Sequence, residues 1–296
     1  MTSCCAPEGT FRRDEPLAMR TTFRIGGPAA LFAEPAERDH FAAAYAEAVA
    51  TGRPVYILGG GSNLLISDEG LDGVVLCTRN LASRRPERHG ERLFVLAGTP
   101  LASVVNWSAT HELAGLEGLV GIPGTVGGAI RMNAGGRNGC IGERVARLWS
   151  ADRSGRICEK ATSDVAWAYR SSDISDPVLA VEFQLRSEPG DAVSRRRREY
   201  LQAKSAAQPI RSHSAGCFFK NPEGASAGRL IEMAGLKGRR LGDACVSAKH
   251  ANFIVNVGRA RAADVLRLAQ TVRERVRDLY GIGLESEVHC WPQTSL

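Results

Sequence analysis

The sequence predicts an α+β fold in which two small α/β lobes precede a separate C-terminal α/β domain. Short apolar runs of strand length alternate with helical runs, and a polar, arginine-rich stretch follows the first two thirds of the chain. With 296 residues, the chain can form two domains or three small ones. The 44% hydrophobic and 24% charged residues are typical of a globular protein and exclude global disorder, collagen and coiled coil.

The elements follow from periodicity and from turn residues. An apolar stretch lies near 29–32, and the predicted strands are 55–58, 74–76, 93–96, 145–149, 178–185 and 253–255. The predicted helices are 41–49, 101–113, 192–206, 228–234 and 265–279, and we expect Gly115, Gly235 and Gly281 to end three of them. Seven glycines between 121 and 139 predict a loop there rather than a regular element. The predicted divisions are lobes 21–80 and 81–188, a linker at 189–211 and a C-terminal domain at 212–296.

Charge and targeting signals restrict the class of partner. The net charge of +6, from 38 basic and 32 acidic residues, favours anionic ligands but is spread along the chain. The dense basic run Arg195–Arg198 has only Tyr200 as a nearby aromatic residue, which argues against a nucleic-acid surface. The sequence shows neither an apolar run of membrane-spanning length nor a secretory signal, so we expect a cytoplasmic protein without membrane insertion.

The cysteines and histidines indicate neither a disulfide framework nor a metal site. The chain has eight cysteines, at positions 4, 5, 77, 140, 158, 217, 245 and 290. A chain of this length without an export signal needs no disulfides, so we expect free thiols. Because CxxC, HxH and HExxH spacings are absent from the sequence, we predict no metal.

Two glycine-rich segments form a candidate anion site. The first follows a predicted strand directly and reads Gly59, Gly60, Gly61, Ser62, Asn63. The second, Gly121–Gly128, contains Gly124, Thr125 and Gly127 and begins some sixty residues later. Two such loops can hold one diphosphate from both sides, since glycine lets backbone amides approach an anion. The alternative is purely structural, a tight turn and close strand packing. Neither segment has P-loop or Rossmann spacing.

These segments belong to a series of six blocks. In chain order they are Thr22–Gly27, Gly59–Asn63, Gly121–Gly128, Tyr169–Arg170, Gly216–Pro222 and Leu284–Val288. Together they resemble the UDP-N-acetylenolpyruvoylglucosamine reductase family over nearly the whole chain. The resemblance implies an FAD-binding module of the p-cresol methylhydroxylase type, followed by a substrate-binding domain. The short spacing between Tyr169 and Cys217 resembles the compact subtype of the family.

The resemblance also implies the ligands. FAD would place its diphosphate on Gly59–Asn63 and on Gly121, Gly124, Thr125, Gly127 and Gly128. Because Ser62 and Asn63 stand where covalently flavinylated relatives of this module often have a histidine, we expect non-covalent FAD. NADPH would be the co-substrate and a UDP-sugar the substrate, whereas an oligomeric partner is not implied.

Three side chains match the family's reacting groups. The family reduces FAD with NADPH, passes hydride to an enolpyruvyl double bond and protonates the neighbouring carbon. Arg170 would bind the substrate carboxylate, as a guanidinium fork suits. Glu287, rather than Glu285, would polarise the same carboxylate, which as a protonated acid would require a raised pKa. Cys217 would donate the proton in place of the more usual serine, and a thiol with an ordinary pKa near 8.5 can do so.

The resemblance gives supporting roles to three more residues. Lys220 and Asn221 match positions that bind substrate or nicotinamide phosphate groups, and Tyr169 adjoins Arg170 as a substrate-binding residue. Two other functions stay open for the whole chain. One is a different FAD oxidoreductase on the same module, of the alcohol or lactone oxidase type. The other is a catalytically silent flavin or nucleotide-sugar binding protein.

Overall fold

The structure is a computed structural model that describes residues 11–293. Cys4 and Cys5, to which the sequence assigned no role, lie outside the described residues. The helices are α1 Arg38–Ala50, α2 Leu101–Thr110, α3 Val126–Arg131, α4 Ala192–Ala207, α5 Ala227–Met233 and α6 Ala262–Tyr280. Short 3-10 turns occur at Ala18–Arg20, Glu117–Leu119, Ile141–Arg144 and Thr162–Asp164.

The strands alternate with these helices through the described chain. In chain order they are β1 Arg12–Pro16, β2 Pro28–Ala33, β3 Val55–Leu58, β4 Leu64–Ile66, β5 Leu71–Cys77, β6 Glu87–His89, β7 Arg92–Leu96, β8 Leu113–Ala114, β9 Gly135–Gly136, β10 Gly139–Cys140, β11 Val145–Ala151, β12 Ile157–Ala161, β13 Trp167–Ala168, β14 Ser171–Ser172, β15 Val178–Gln184, β16 Arg186–Ser187, β17 His213–Cys217, β18 Arg240–Leu241, β19 Ala244–Val246, β20 Phe253–Asn256 and β21 His289–Trp291.

The described residues group into two compact units. The first contains 11–13, 31–60 and 72–203, and the second contains 14–30, 61–71 and 204–293. No helix within 11–293 is both long and apolar enough to cross a bilayer.

A five-stranded sheet forms the centre of the first unit. Its order is β12-β11-β15-β7-β6, and every pairing in it is antiparallel. The central strand β15 is an almost continuous apolar run, and α2 and α3 share a buried core with it. A second sheet has the order β1-β2-β5-β3, with β3 parallel to β5, and α1 buries Phe41 and Ala44 beside Val74 and Leu76 of that sheet.

The second unit is an antiparallel sheet covered by two helices. The sheet order is β17-β20-β19-β18. Helix α6 buries Val265, Leu268, Val272 and Val276 against it, as the predicted steps of three and four require. The helix ends at Gly281, whose φ of +68° is the left-handed C-cap that glycine favours. This predicted end is confirmed.

Two local predictions are wrong. The helix predicted for 101–113 ends at Thr110, because Leu113 and Ala114 pair with β16 instead, and Gly115 is not its cap. The predicted loop at 121–139 contains the short helix α3 and a two-stranded pair. Gly127 lies inside α3. A Cβ there would come within 2.9 Å of the Cβ of Ala97, so only a glycine permits α3 to pack this close to Ala97.

The units also differ from the predicted divisions. Residues 21–30 and 61–71, which lie within the predicted first lobe, belong to the second unit, together with residues 14–20. The physical reason is that β4 pairs in parallel with β21, while Phe23, Ile25 and Leu65 are buried in the C-terminal core. Most of the predicted linker is α4, and its residues up to 203 belong to the first unit.

Candidate active site

In the first unit, the two glycine-rich loops touch. A Cβ on Gly60 would lie 2.5 Å from the Cα of Gly124, and a Cβ on Gly59 would lie 2.6 Å from Oγ1 of Thr125. Both contacts are too short for any side chain. The loops are therefore held at a separation that only glycine permits, which favours a ligand site over an ordinary turn. We call this site, formed by Gly59 and Gly60 of the first loop and by Gly124, Thr125 and Gly128 of the second, the cradle.

The cradle has hydrogen-bond donors to offer a ligand. The Oγ1 atom of Thr125 is buried and has no hydrogen-bond partner within residues 11–293. Within the same range, the amides of Gly59, Gly60 and Gly128 donate to no other protein group. Buried polar groups are nearly always satisfied, so the buried hydroxyl of Thr125 favours a ligand acceptor here, whereas the amides of the half-buried Gly59 and Gly60 and of the exposed Gly128 are accessible from outside. Converging amides and a hydroxyl suit a diphosphate, and these residues therefore fit FAD.

Two of the predicted cradle glycines have backbone roles. Gly127 donates its amide to the carbonyl of Ala97 at 2.8 Å, so this amide is already used. Gly121 has a φ of +71°, a conformation that favours glycine and turns the chain ahead of α3. Both residues shape the cradle, whereas the available donors lie on their neighbours.

The first loop continues into the second unit, where it is bound to the C-terminal segment. Gly61 has a φ of +65°, and its carbonyl accepts from the amide of Thr22 at 3.0 Å. The Thr22 hydroxyl donates to the carbonyl of Ser214 in β17 at 2.6 Å. Asn63 donates through Nδ2 to the carbonyl of Glu287 at 3.0 Å and accepts from the amide of His289 at 3.1 Å. Ser62, between them, is half-buried.

Cys217 lies at the end of β17, next to an irregularity in the sheet. The pairing of β17 with β20 shifts register between Ser214 and Cys217, and Gly216 has a φ of +82° within that shift. The Cys217 side chain is half-buried and forms no disulfide within residues 11–293. The amide of the next residue, Phe218, donates to the carbonyl of Asn252 at 2.7 Å.

Glu287 lies beside the residues that follow Cys217. Its amide donates to the carbonyl of Phe218 at 2.8 Å, and the amide of Lys220 donates to the carbonyl of Glu285 at 2.8 Å. The Glu285 carboxylate is 79% exposed and pairs with Nζ of Lys220 at 3.4 Å, whereas Glu287 is half-buried. Residues two apart in an extended segment lie on the same face, so the face does not distinguish Glu285 from Glu287. Their different burial, and the ion pair of Glu285, do.

Tyr169 and Arg170 form the tip of a hairpin in the first unit. The strands β13 and β14 pair antiparallel on either side of them. Arg170 has a φ of +59°, which is strained for a residue with a large side chain, and its guanidinium lies 5.0 Å from the centre of the Tyr169 ring. Such strain is typical of functional positions.

The hairpin is tied to the second glycine-rich segment. Asn133 is buried, donates to the carbonyl of Ala168 at 3.0 Å and accepts from the amide of Gly142 at 3.1 Å. Asn133 is not among the predicted site residues. The sequence feature that could have indicated it is an asparagine five residues after the glycine-rich segment Gly121–Gly128. Its side chain connects the backbone at Ala168 to the backbone at Gly142.

Lys220 and Asn221 have protein partners. Besides the ion pair of Lys220 with Glu285, Oδ1 of Asn221 accepts from the amide of Ala227 at the start of α5, at 3.0 Å. The Asn221 side chain thus stabilises a helix N-terminus, a structural role that the resemblance did not include. Within residues 11–293, no group of three or more His, Cys, Asp or Glu side chains is arranged to hold a metal ion.

Two family models match the chain. The model described as "FAD binding domain" matches residues 29–159. The model described as "UDP-N-acetylenolpyruvoylglucosamine reductase, C-terminal domain" matches residues 208–291. These matches confirm the predicted α+β fold, with an FAD-binding module followed by a C-terminal domain.

Curated relatives and a solved structure agree with the models. The chain is 43% identical over 96% of its length, and 92% of the relative's, to UDP-N-acetylenolpyruvoylglucosamine reductase 2 of Symbiobacterium thermophilum. It is 41% identical over 95% of its length, and 93% of the relative's, to the reductase of Geobacter metallireducens. The crystal structure of the reductase from Thermus caldophilus matches 95% of this chain and 100% of its own, at 38% identity and a TM-score of 0.82. The chain therefore belongs to the UDP-N-acetylenolpyruvoylglucosamine reductase family.

Proposed function

We propose that the chain reduces UDP-N-acetylenolpyruvoylglucosamine to UDP-N-acetylmuramate in peptidoglycan precursor synthesis, with non-covalent FAD and with NADPH as reductant. The observation that carries this proposal is the hydrogen-bonded group in the second unit. There, Asn63 of the first loop and Phe218, next to Cys217, both bond to the backbone of Glu287. The family relationship over 96% of the chain supplies the chemistry that this group would perform.

The cradle would bind the diphosphate of FAD. The donors are the amides of Gly59, Gly60 and Gly128 and the hydroxyl of Thr125. When bound, FAD supplies hydride transfer from NADPH to the substrate double bond. Neither Ser62 nor Asn63 offers the imidazole of a covalent attachment, which supports reversible binding.

Cys217 would move the proton. Reduction of a C=C bond adds a hydride equivalent at one carbon and a proton at the next, so an acid is required beside the substrate. The Cys217 Sγ–H bond breaks, the proton forms the new C–H bond, and solvent returns a proton to the thiolate. The half-buried position at the end of β17 supports this role, because a donor must be sheltered yet reachable.

Arg170 and Glu287 would stabilise the substrate carboxylate as charge develops on it. The guanidinium of Arg170 can form two parallel hydrogen bonds to a carboxylate, and its strained turn is a reason to assign it a ligand. Glu287 is held through its own amide and carbonyl, which fixes the backbone from which its side chain projects. Glu285, exposed and paired with Lys220, is the weaker candidate.

Three residues would contact the rest of the ligands. Lys220 would have to exchange Glu285 for a phosphate, which is feasible because the pair is exposed and therefore weak. Asn221 would use Nδ2, since Oδ1 is bound to the amide of Ala227. Tyr169 is 55% exposed, so its ring is accessible to a substrate.

We also expect the reaction to take place in the cytoplasm.

A spectroscopic experiment tests the proposal. Purified protein should show flavin absorption that bleaches with NADPH under anaerobic conditions and returns on addition of the enolpyruvyl sugar nucleotide. If an alcohol or a lactone bleaches the oxidised flavin, oxygen restores its absorption and the enolpyruvyl sugar nucleotide does not, the chain is another oxidoreductase on the same module. If the flavin binds but neither step occurs, it is a silent binding protein.

A further inference from the structure

Asn252 is a buried amide that the proposed mechanism does not use. It precedes β20 and is 3% exposed. Its Oδ1 accepts from the amide of Phe219 at 2.9 Å, and its Nδ2 donates to the carbonyl of Phe219 at 2.7 Å. Its own carbonyl accepts from the amide of Phe218 at 2.7 Å. A single residue thus pairs three of the four backbone polar groups of Phe218 and Phe219.

We call these three hydrogen bonds of Asn252 to Phe218 and Phe219 the clamp. The fourth backbone group, the carbonyl of Phe218, connects the clamp to Glu287. The carbonyl of Phe218 accepts from the amide of Glu287 at 2.8 Å. The positions of Glu287 and of the dipeptide after Cys217 therefore depend on the same set of hydrogen bonds. A shift of Phe218 would move the Cys217 backbone, to which it is covalently joined, and would lengthen the bond to Glu287.

The other side of Cys217 provides less restraint. Gly216 has a φ of +82° and no atom within 4 Å of where its Cβ would be, and its amide makes only a long hydrogen bond, of 3.5 Å, to Oγ of Ser214. Glycine is the residue with the largest conformational freedom. Cys217 itself pairs with Phe253 of β20, next to Asn252, and on its C-terminal side it is joined to Phe218 and Phe219, both of which are 1% exposed.

Asn252 is itself held in place. Its amide donates to Nδ1 of His250 at 3.3 Å, and the His250 ring packs edge-on against Phe253 with 5.1 Å between ring centres. Burial lowers the pKa of His250, so the ring stays neutral near pH 7 and Nδ1 keeps the lone pair that accepts this bond. The histidine therefore holds the backbone amide of Asn252.

We propose that Asn252 is a positioning residue that holds Cys217 and Glu287 in register for proton delivery, through the backbone of Phe218 and Phe219. This inference rests on the proposed function. An amide is required because its donor and acceptor meet the carbonyl and the amide of one residue at once. An aspartate of the same shape would present an oxygen to the Phe219 carbonyl, and an alanine would leave both groups unpaired.

The chain offers a matched control for a purely structural role. Asn256 is 6% exposed, lies in the same unit, donates through Nδ2 to the carbonyl of Phe23 at 3.0 Å, and accepts through Oδ1 from the amides of Gly258 and Ala260, each at 3.0 Å. It clamps backbone as Asn252 does, but not the residues that follow Cys217. Asn256→Ala should cost similar stability without affecting proton delivery.

The first test separates the two half-reactions in the FAD-loaded protein. Asn252→Ala should slow substrate-dependent flavin reoxidation about 100-fold, while NADPH-dependent flavin reduction stays within about threefold of the unmodified protein. Asn256→Ala should leave both steps within about threefold. Equal slowing of both steps by Asn252→Ala, or an equal effect of the two alanine variants on reoxidation, would overturn the proposal.

The second test needs neither substrate nor turnover. We would measure modification of Cys217 by an aromatic disulfide reagent, followed by mass spectrometry of the peptide that contains it. Loosening of the Phe218–Phe219 clamp should raise the modification rate about tenfold in Asn252→Ala and leave it within twofold in Asn256→Ala. An unchanged rate in Asn252→Ala would contradict the positioning role.

If Asn252→Ala does not fold, Asn252→Asp allows the Cys217 modification test to be made without it. At pH 9 the ionised carboxylate lacks the donor to Phe219, and the Cys217 modification rate should exceed that of the unmodified protein. Burial raises the pKa of such a carboxyl group, so towards pH 5 it becomes protonated and again donates to the carbonyl. The ratio of the two rates should then return to about one. A ratio that does not change with pH would contradict the clamp.

The two proposals fail in different ways. If the unmodified protein never reoxidises with the enolpyruvyl sugar nucleotide, the proposed function is wrong, whatever the variants do. If the unmodified protein turns over and the Asn252 variants match the Asn256 variant in both reoxidation and Cys217 modification, only the positioning role is wrong.

Discussion

The amide of Glu287 donates a hydrogen bond to the carbonyl of Phe218 at 2.8 Å, and Nδ2 of Asn63 donates to the carbonyl of Glu287 at 3.0 Å. Glu287 is thereby bound on one side to the residue after Cys217 and on the other to the glycine-rich loop. Two hydrogen bonds thus fix the backbone from which the carboxylate projects, and a fixed attachment point favours electrostatic stabilisation of a developing charge.

Glu287→Gln should slow flavin reoxidation by the enolpyruvyl substrate about 100-fold and leave reduction by NADPH nearly unchanged. Glu285→Gln is the matched control, because it lies two residues away and loses only an exposed pair with Lys220. Stopped-flow measurement of the two half-reactions checks this expectation. A larger defect from Glu285→Gln would reverse the assignment.

Arg170→Lys keeps the charge but loses the planar fork. We expect a loss of about 2 to 4 kcal/mol in transition-state stabilisation of the second half-reaction, calculated from kcat/KM for the enolpyruvyl substrate. Flavin reduction should be nearly unaffected. Equal damage to both half-reactions would instead indicate that Arg170 is structural or binds the nicotinamide nucleotide.

Cys217→Ser should retain substantial activity, because a hydroxyl reaches the same place and the family pattern more often has serine there. Cys217→Ala should leave flavin reduction intact and stall product formation. Peroxide or iodoacetamide should inactivate the unmodified protein, bound substrate should protect it, and the serine variant should be resistant. Full turnover by the alanine variant, or by protein labelled at Cys217, would remove this residue from the mechanism.

Gly60→Ala should weaken FAD binding by at least about tenfold, because its Cβ would lie 2.5 Å from the Cα of Gly124 and would force the two loops apart. Gly136→Ala is the control, since a Cβ there would have no atom within 4 Å. Titration of apoprotein with FAD, followed by flavin fluorescence, measures both affinities. Equal affinities for FAD would show that the contact between the loops does not form the cofactor site.

Arg196 should make the stability of the first unit depend on pH. Its hydrogen bonds to Glu188 lower the pKa of that carboxyl to about 2. Burial raises the pKa of Glu117, but hydrogen bonds from the Gly115 amide and from Arg196 outweigh it, and the net shift is downward. Since both folded pKa values lie below the ordinary value near 4.3, the stabilisation is complete above that pH and is lost as the pH falls towards 2.

Arg196→Gln should therefore lower Tm at pH 7 by about 2 to 5 °C, and by much less near pH 2.5. Arg195→Gln is the control, because Arg195 pairs only with the exposed Asp191, at 3.3 Å, in the described structure. Calorimetry at the two pH values measures the differences. The same loss of Tm at both would mean that Arg196 stabilises the unit through packing rather than through its carboxylate partners.

The sequence by itself determined the fold class, the family and most of the regular elements. Helix α6 and its end at Gly281 follow from apolar steps of three and four and from one left-handed glycine, which are local properties of the chain. The glycine-rich loops were recognisable because only glycine permits close approach of backbone. Arg170, Cys217 and Glu287 could be proposed because each lies in a short block typical of the family.

Only the tertiary structure decided which segments belong together. The bond from Asn63 to Glu287 joins residues 224 positions apart, and such a pair leaves no periodic trace in the sequence. It is among the contacts that assign segment 61–71 to the C-terminal unit rather than to the first lobe. The difference between Glu285 and Glu287, and the clamp of Asn252 on Phe219, likewise depend on burial and on hydrogen bonds between distant residues. Local propensity encodes elements, whereas long-range hydrogen bonding selects their partners.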